Sequence, residues 1–369
     1  MSKPPSGGAA PQSRLPDLIA LAHQTSSEKR RDLLRELTDH FFGAPVHSPN
    51  EQQLFDAVLS DLAAEMETAV RAELAARFAT SPNAPAALVR GLANDEAAVA
   101  EAILRASPVL TDADLISVVR DRGQAHILAV SERSTVSEAV SDAIVERGDD
   151  DALHSLLRNE GARLSRAGAE AAVERAKSNP ALHEATVSRR GLAPDLLNEM
   201  YFVVEARLRQ QILDQNAALD PDLVESALAA GRARVAVGDG AFPADYAESL
   251  AYVEELKAAG QLSPQMLARF LRSGGRTSFL IALSQLADVD FHTARQIIER
   301  REIDALAVIC KAANLDRALF LTYAVVLLNT ERDAMARAHG YARMYAELTQ
   351  EAAMRTVRFW RLRRGAQAA

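Results

Sequence analysis

Five blocks decide the fold: AVRAELAARFATSP at residues 69–82, AVAEAILRASPVLTD at 98–112, AHILAVSERSTVSE at 125–138, ALHSLLRNEGARLS at 152–165 and ALHEATVSRRGLAP at 181–194. Each reads as a helix, a short polar turn, and the start of a second helix. Second helices include DADLISVVRDRG (112–123), VSEAVSDAIVERG (136–148) and SRAGAEAAVERAKSN (165–179). An arginine near the end of each first helix marks the register: Arg77, Arg105, Arg133, Arg158 and Arg189. A recurrence at this spacing is the signature of a helical solenoid, somewhat shorter in period than the usual HEAT unit. A single helix pair cannot bury its apolar face, so neighbouring pairs must stack and cover one another.

Local chemistry agrees with the pairing. Thr111 with Asp114, and Thr135 with Glu138, have capping-box spacing at second-helix starts. Ser165 is placed to cap the fourth second helix, and Asn179-Pro180 sets a capping side chain before a proline suited to a first helical turn. Gly123 and Gly148 stand where second helices should end. Val99, Ile103 and Leu104, and again Val140, Ile144 and Val145, form helical stripes. No window alternates apolar and polar residues long enough to read as a sheet.

Outward from the repeats, residues 1–14 are rich in Pro, Gly and Ser and read as a disordered tail without the apolar region of a signal peptide. Residues 15–68 read as capping helices, broken at Gly43–Pro49, with LFDAVLSDLAAEM (54–66) packed on the first repeat. The repeats run over 69–215. A second, less regular helical region follows over 216–350. In it, Asp220-Pro221 starts a helix, Arg232–Pro243 reads as a loop or broken helix, and Ser263-Pro264 opens a further set of helix pairs. Residues 351–369 form a basic amphipathic tail helix. The expected fold is therefore all-α, an α-solenoid of HEAT-like helix pairs followed by a second helical region.

Composition points the same way. Hydrophobic residues make up 48% of the 369, aromatic residues only 5%, and alanine and leucine, strong helix formers, dominate the apolar set. The net charge of −8 disfavours a polyanion as main partner. The one cysteine, Cys310, sits in an apolar run and reads as a buried small hydrophobe, which suits a reducing compartment. The longest strongly apolar run, Leu319 to Leu328, is too short for a bilayer span of roughly 20 residues. The expected location is cytoplasmic.

Arg71-Ala72-Glu73-Leu74-Ala75, then Ala84-Pro85, then VAEAILRASPVLTDADLISVV (99–119) resemble the opening of a bacterial family known as domain of unknown function 2336. LLRNEGARLS (156–165) and the stretch from LSPQMLARFLRSGG (262–275) through ICKAANLDRALF (309–320) are similar to its continuation. The resemblance covers most of residues 50 to 330. It implies a helical fold of HEAT-like or leucine-repeat-variant type and brings no functional residues with it.

The sequence offers no catalytic constellation. His23, His40, His47, His126, His154, His183, His292 and His339 lack a recognised metal spacing such as H-E-x-x-H, and one cysteine cannot build a thiolate zinc cluster. No G-x-S-x-G is present. Ser273-Gly274-Gly275-Arg276-Thr277-Ser278 lacks the frame of a phosphate loop and reads as a helix–helix turn, and Gly238-Asp239-Gly240 as a turn. The acids Asp149–Asp151 read as a solvated helix start favoured by the helix dipole. No enzyme activity, cofactor or metal is expected.

Two surfaces stand out instead. Even stacking lines up Arg77, Arg105, Arg133, Arg158 and Arg189 roughly 10 Å apart. Such a row can grip a carboxylate-rich peptide or a phosphodiester backbone. Alternatively, each arginine serves helix C-terminal carbonyls or an acid of the next repeat, with Glu132, Glu160 and Glu184 nearby. The second surface is the tail, where Arg355, Arg358, Trp360 and Arg361 lead a basic amphipathic helix. It can lie on an anionic membrane, meet nucleic acid, dock on a partner, or pack as a terminal helix with its arginines in water. The expected function is a non-catalytic, regulatory scaffold or adaptor for another protein. The alternatives are a nucleic-acid-binding HEAT-like protein, by analogy with DNA glycosylases, and a membrane-recruited adaptor.

Overall fold

The computed structural model describes residues 27–43, 47–217, 219, 226, 241–328 and 334–360. Among these the secondary structure is helical, with one isolated parallel bridge between Val136 and Ala162. The protein is all-α. The chain divides into two compact units, Met1–Arg190 and Gly191–Ala369.

The described part of the first unit holds α1 (Ser27–Gly43), α2 (Pro49–Ala64), α3 (Thr68–Phe78), α4 (Ala86–Ala93), α5 (Ala97–Ala106), α6 (Asp112–Asp121), α7 (Gln124–Ser131), α8 (Glu138–Arg147), α9 (Asp150–Arg158), α10 (Arg166–Ser178) and α11 (His183–Ser188). A 3-10 turn, Pro180–Leu182, leads into α11. The first helices of the five blocks are α3, α5, α7, α9 and α11, and each packs on the next of that set. On the other side α2 packs on α4, α6 on α8, and α8 on α10. Apolar spacing explains the pattern. In α5, Val99, Ala100, Ile103 and Leu104 are all fully buried, because a stripe three to four residues apart faces the neighbouring helices while Glu101 and Arg105 face water.

Caps fix where these helices begin. Ser48 and Glu51 form a capping box on α2, and Thr111 and Asp114 form one on α6. Asp149 caps α9, Ser165 caps α10, and Asn179 caps the 3-10 turn. The box expected at Thr135 and Glu138 is not formed. The cap of α8 is Ser137, two residues later, whose side chain accepts from Val140 N. The reason is tertiary: Val136 donates to Gly161 O at 3.1 Å and accepts from Arg163 N at 2.9 Å, which holds the chain extended until Ser137. Gly148 does end α8, and an added Cβ there would lie 2.7 Å from Ile144 O, so close approach requires the glycine. Gly123, by contrast, is the N-cap of α7, and Arg122 ends α6.

The second unit holds α12 (Pro194–Tyr201), α13 (Ala206–Ala217), α14 (Tyr246–Ala258), α15 (Pro264–Arg272), α16 (Arg276–Ala287), α17 (Phe291–Glu299), α18 (Ile303–Ala312), α19 (Arg317–Leu328), α20 (Ala334–Glu347) and α21 (Gln350–Trp360). Its logic differs from that of the stack. In α16, Phe279 to Ser284 are consecutively buried, and in α18 so are Ala305 to Cys310. Helices apolar on all sides belong in the middle of a body. Accordingly α14, α15 and α17 pack on α16, while α17, α19, α20 and α21 pack on α18, and the two central helices touch.

The repeats were expected to run to residue 215, yet α12 and α13 lie in the second unit. Two contacts draw them there. Asn198 of α12 donates to Phe359 O at 2.7 Å, and Arg209 of α13 pairs with Asp304 of α18. Most of the helix expected at 221–231 and of the irregular segment at 232–243 lies outside the described residues, as does the tail expected at 1–14. Among the described residues no helix is long and apolar enough to cross a membrane.

Gly161 provides a test of the block-to-block turn. An added Cβ would collide with the Ser134 carbonyl, a main-chain group with little freedom to retreat. Gly161→Ala is expected to cost about 2 kcal/mol or more, the scale of overpacked sites, read as a lower urea midpoint at unchanged slope.

Candidate functional site

Helix geometry leaves the last four carbonyls of every helix without an intrahelical donor. Where the next repeat covers such an end, water is excluded and a side chain must donate. This need decides the fate of the arginine row.

Arg133, two residues past α7, reaches back to α5. Its Nη1 donates to Leu104 O at 2.5 Å and its Nη2 to Ser107 O at 2.8 Å. Arg189, just past α11, reaches back to α9. It donates to Leu156 O and Leu157 O at 3.0 Å, to Asn159 O at 3.3 Å and to Ala162 O at 2.5 Å. Between them Asn159 closes α7, donating to Ser131 O at 2.8 Å and Arg133 O at 2.7 Å. The same device operates in the second-helix row, where Arg175 donates to Val145 O and Gly148 O at the end of α8. Burial lowers the pKa of Arg133 and of Arg189 from the ordinary arginine value. Arginine nonetheless keeps its charge in proteins, which suits it to facing several carbonyls at once.

Two further members of the row pair with acids. Arg77 donates to Asp39 of α1 at 2.6 Å and lies over the Phe42 ring, 5.7 Å from its centroid. Arg105 holds Glu132 of the following repeat and Glu101 of its own helix. Arg158 ends α9 and is exposed, and no hydrogen bond or ion pair joins it to any described residue. It lines a cavity of about 360 Å³ together with Arg189 and Arg190. The row is thus mainly a set of internal fastenings, with one member turned outward.

The tail behaves differently from a free amphipathic helix. Trp360 is 1% exposed, so it is not a surface contact residue. Its ring lies 5.5 Å from that of Tyr201 and 6.2 Å from that of Phe202, because α12 supplies aromatic partners that sequence distance conceals. Ala353, Val357 and Phe359 are buried with it as α21 packs on α18. Arg355 and Arg358 remain exposed on the opposite side. Arg361 lies outside the described residues.

A charged cluster that sequence reading missed sits inside the second unit. Arg209 Nη1 lies 3.2 Å from Asp304 Oδ2 and 3.3 Å from Glu302 Oε2, with its guanidinium over Tyr201, and Arg209 and Glu302 are 15% and 9% exposed. Burial holds the Glu302 carboxyl above the usual carboxylate range, partly offset by Arg209. Ordinary spacing rules could not find this triad, since Arg209 lies some ninety residues from the two acids in sequence.

Other candidates are placed simply. Cys310 is fully buried, and burial pushes its thiol pKa up, which removes thiolate character. His126 is buried and pairs with Asp95 O at 2.8 Å. Ser273–Gly275 forms the turn between α15 and α16, with Gly274 at φ +78, while Arg276–Ser278 already belong to α16. Among the described residues no group of three or more His, Cys, Asp or Glu side chains is arranged to hold a metal ion.

The model of a family described as an uncharacterised protein conserved in bacteria (DUF2336) matches residues 99–358, more than half of the chain. The chain belongs to this family. No curated protein and no solved structure matches it. The part shared with DUF2336 runs from Val99 in α5 to Arg358 in α21, so it includes the fastened arginines from Arg105 onward and most of α21, though not Phe359 or Trp360.

Two stability tests follow from these contacts. Arg189→Gln leaves several covered carbonyls without donors and is expected to lower stability by about 2 kcal/mol, while Arg158→Gln leaves the urea midpoint unchanged. For the triad, an acid whose pKa rises on folding favours the folded state in acid. That advantage is lost as pH rises from the ordinary carboxylate range through the raised value. Arg209→Leu raises Glu302 further, so its stability should fall more steeply over that window and end about 3 kcal/mol below wild type at neutral pH. Glu302→Gln in the same background is expected to recover most of the loss and flatten the profile.

Proposed function

We propose that this DUF2336 protein is a non-catalytic helical-repeat scaffold, a regulatory adaptor of the cytoplasm that binds another protein through the surface of its first unit. The observation that carries the reading is the packing of first helices α3, α5, α7, α9 and α11 in succession, with the ends of α5, α7 and α9 closed by side chains from the following block. Stacks of this kind behave as solenoids, with extended surfaces suited to protein partners. The acidic balance of the chain supports a protein over a polyanion.

Nucleic-acid binding has weaker support, since Arg133 and Arg189 spend their donors on main-chain carbonyls. Recruitment to membranes through α21 has weaker support too, because the apolar residues that would enter the lipid are already buried.

Affinity purification with the full chain from bacterial lysate tests the scaffold reading. Specific proteins are expected to be retained after nuclease treatment, with modest sensitivity to salt. Retention of DNA or RNA, with affinity falling steeply as salt rises, would overturn it.

A further inference from the structure

The ends of α9 and α11 enclose the cavity of about 360 Å³, lined among others by Leu157, Arg158, Glu160, Glu184, Arg189 and Arg190. A helix C-terminus ordinarily repels an anion, because its open carbonyls carry partial negative charge. At the end of α9 that objection is removed. Arg189 donates to the carbonyls of Leu156, Leu157, Asn159 and Ala162, so the end of α9 is already served. Arg158, at the same helix end, has no hydrogen-bond acceptor among the described residues, and it is exposed. Arg190 is 88% exposed, and its contact with Glu160 is 3.8 Å long, beyond hydrogen-bond reach.

We propose that this cavity seats one carboxylate of a partner protein, an Asp or Glu side chain, with Arg158 and Arg190 as its donors. The proposal rests on the scaffold reading and gives it a site. Guanidinium groups match carboxylate geometry with paired hydrogen bonds, and two of them stand here uncommitted or loosely held. Glu160 marks the spot: it is an internal carboxylate near Arg190, 77% exposed, that an incoming acid can displace. The surroundings select a lone acid over a polyanion. Glu160 and Glu184 line the cavity, and Asp149, Asp150 and Asp151 lie at the other end of α9. A nucleic-acid backbone, charged at every step, meets these with like sign, whereas a single carboxylate on an otherwise neutral segment does not.

The test pans a phage-displayed random peptide library on the full-length protein, then measures the enriched peptides, made synthetically, by fluorescence anisotropy. Enriched peptides are expected to share an acid at one fixed position. The Arg158→Gln, Arg190→Gln double variant should bind them about tenfold or more weakly, the scale of a charge-assisted contact. Changing the peptide's acid to its amide should cause a similar loss in wild type and little further loss in the double variant. An unchanged melting temperature for the double variant shows that folding is not the cause. Peptides that bind the double variant as well as wild type, or that lack an acid, would overturn this site and leave the scaffold reading standing. A panning that enriches nothing, or a single-stranded DNA or RNA that outcompetes the peptides, also overturns the site. The scaffold reading fails separately, on the lysate experiment.

Discussion

The first unit depends on how it treats the carbonyl ends of its helices. Short helices of eight to ten residues, such as α5, α7 and α9, expose many open ends for little length. Stacking covers those ends and removes water, and a buried polar group left without a partner costs about 1–3 kcal/mol. The chain answers with donors from one repeat further along: Arg133 for α5, Asn159 for α7 and Arg189 for α9. Apolar burial drives the stacking, but these donors make it permissible and set its register.

Much of this was legible in the sequence. The helix pairs, their turns and the recurring arginine could be read because each depends on residues close together in the chain, as the Thr111–Asp114 box does. Failures occurred where a distant residue intervened. The Thr135 cap was pre-empted by a bridge from Val136 to the turn around Gly161. α12 and α13 fall in the second unit, where Asn198 and Arg209 answer to Phe359 and Asp304. Trp360 reads as half of an amphipathic face until Tyr201 is known to lie against it. The arginine row was visible as a pattern, but its meaning was not. Periodicity places a guanidinium at a helix end without saying whether a carbonyl, an acid or water lies there.

The two units solve the problem of burial differently. In the second unit, α16 and α18 are buried on nearly all sides and their neighbours surround them, an arrangement that spends apolar surface inward. In the first, the first helices of the blocks pack on one another in succession, and many charged side chains at their ends pair with neighbours.

The direction of the fastenings has a consequence for biosynthesis. Every cap between first-row helices reaches backward along the chain, from a later repeat to an earlier one. A nascent polypeptide that has emerged as far as Arg158 already contains all of α9 but lacks Arg189, the guanidinium that closes it. The ends of α5, α7 and α9 thus leave the ribosome with carbonyls still unserved, and the donor for each arrives only with the block that follows.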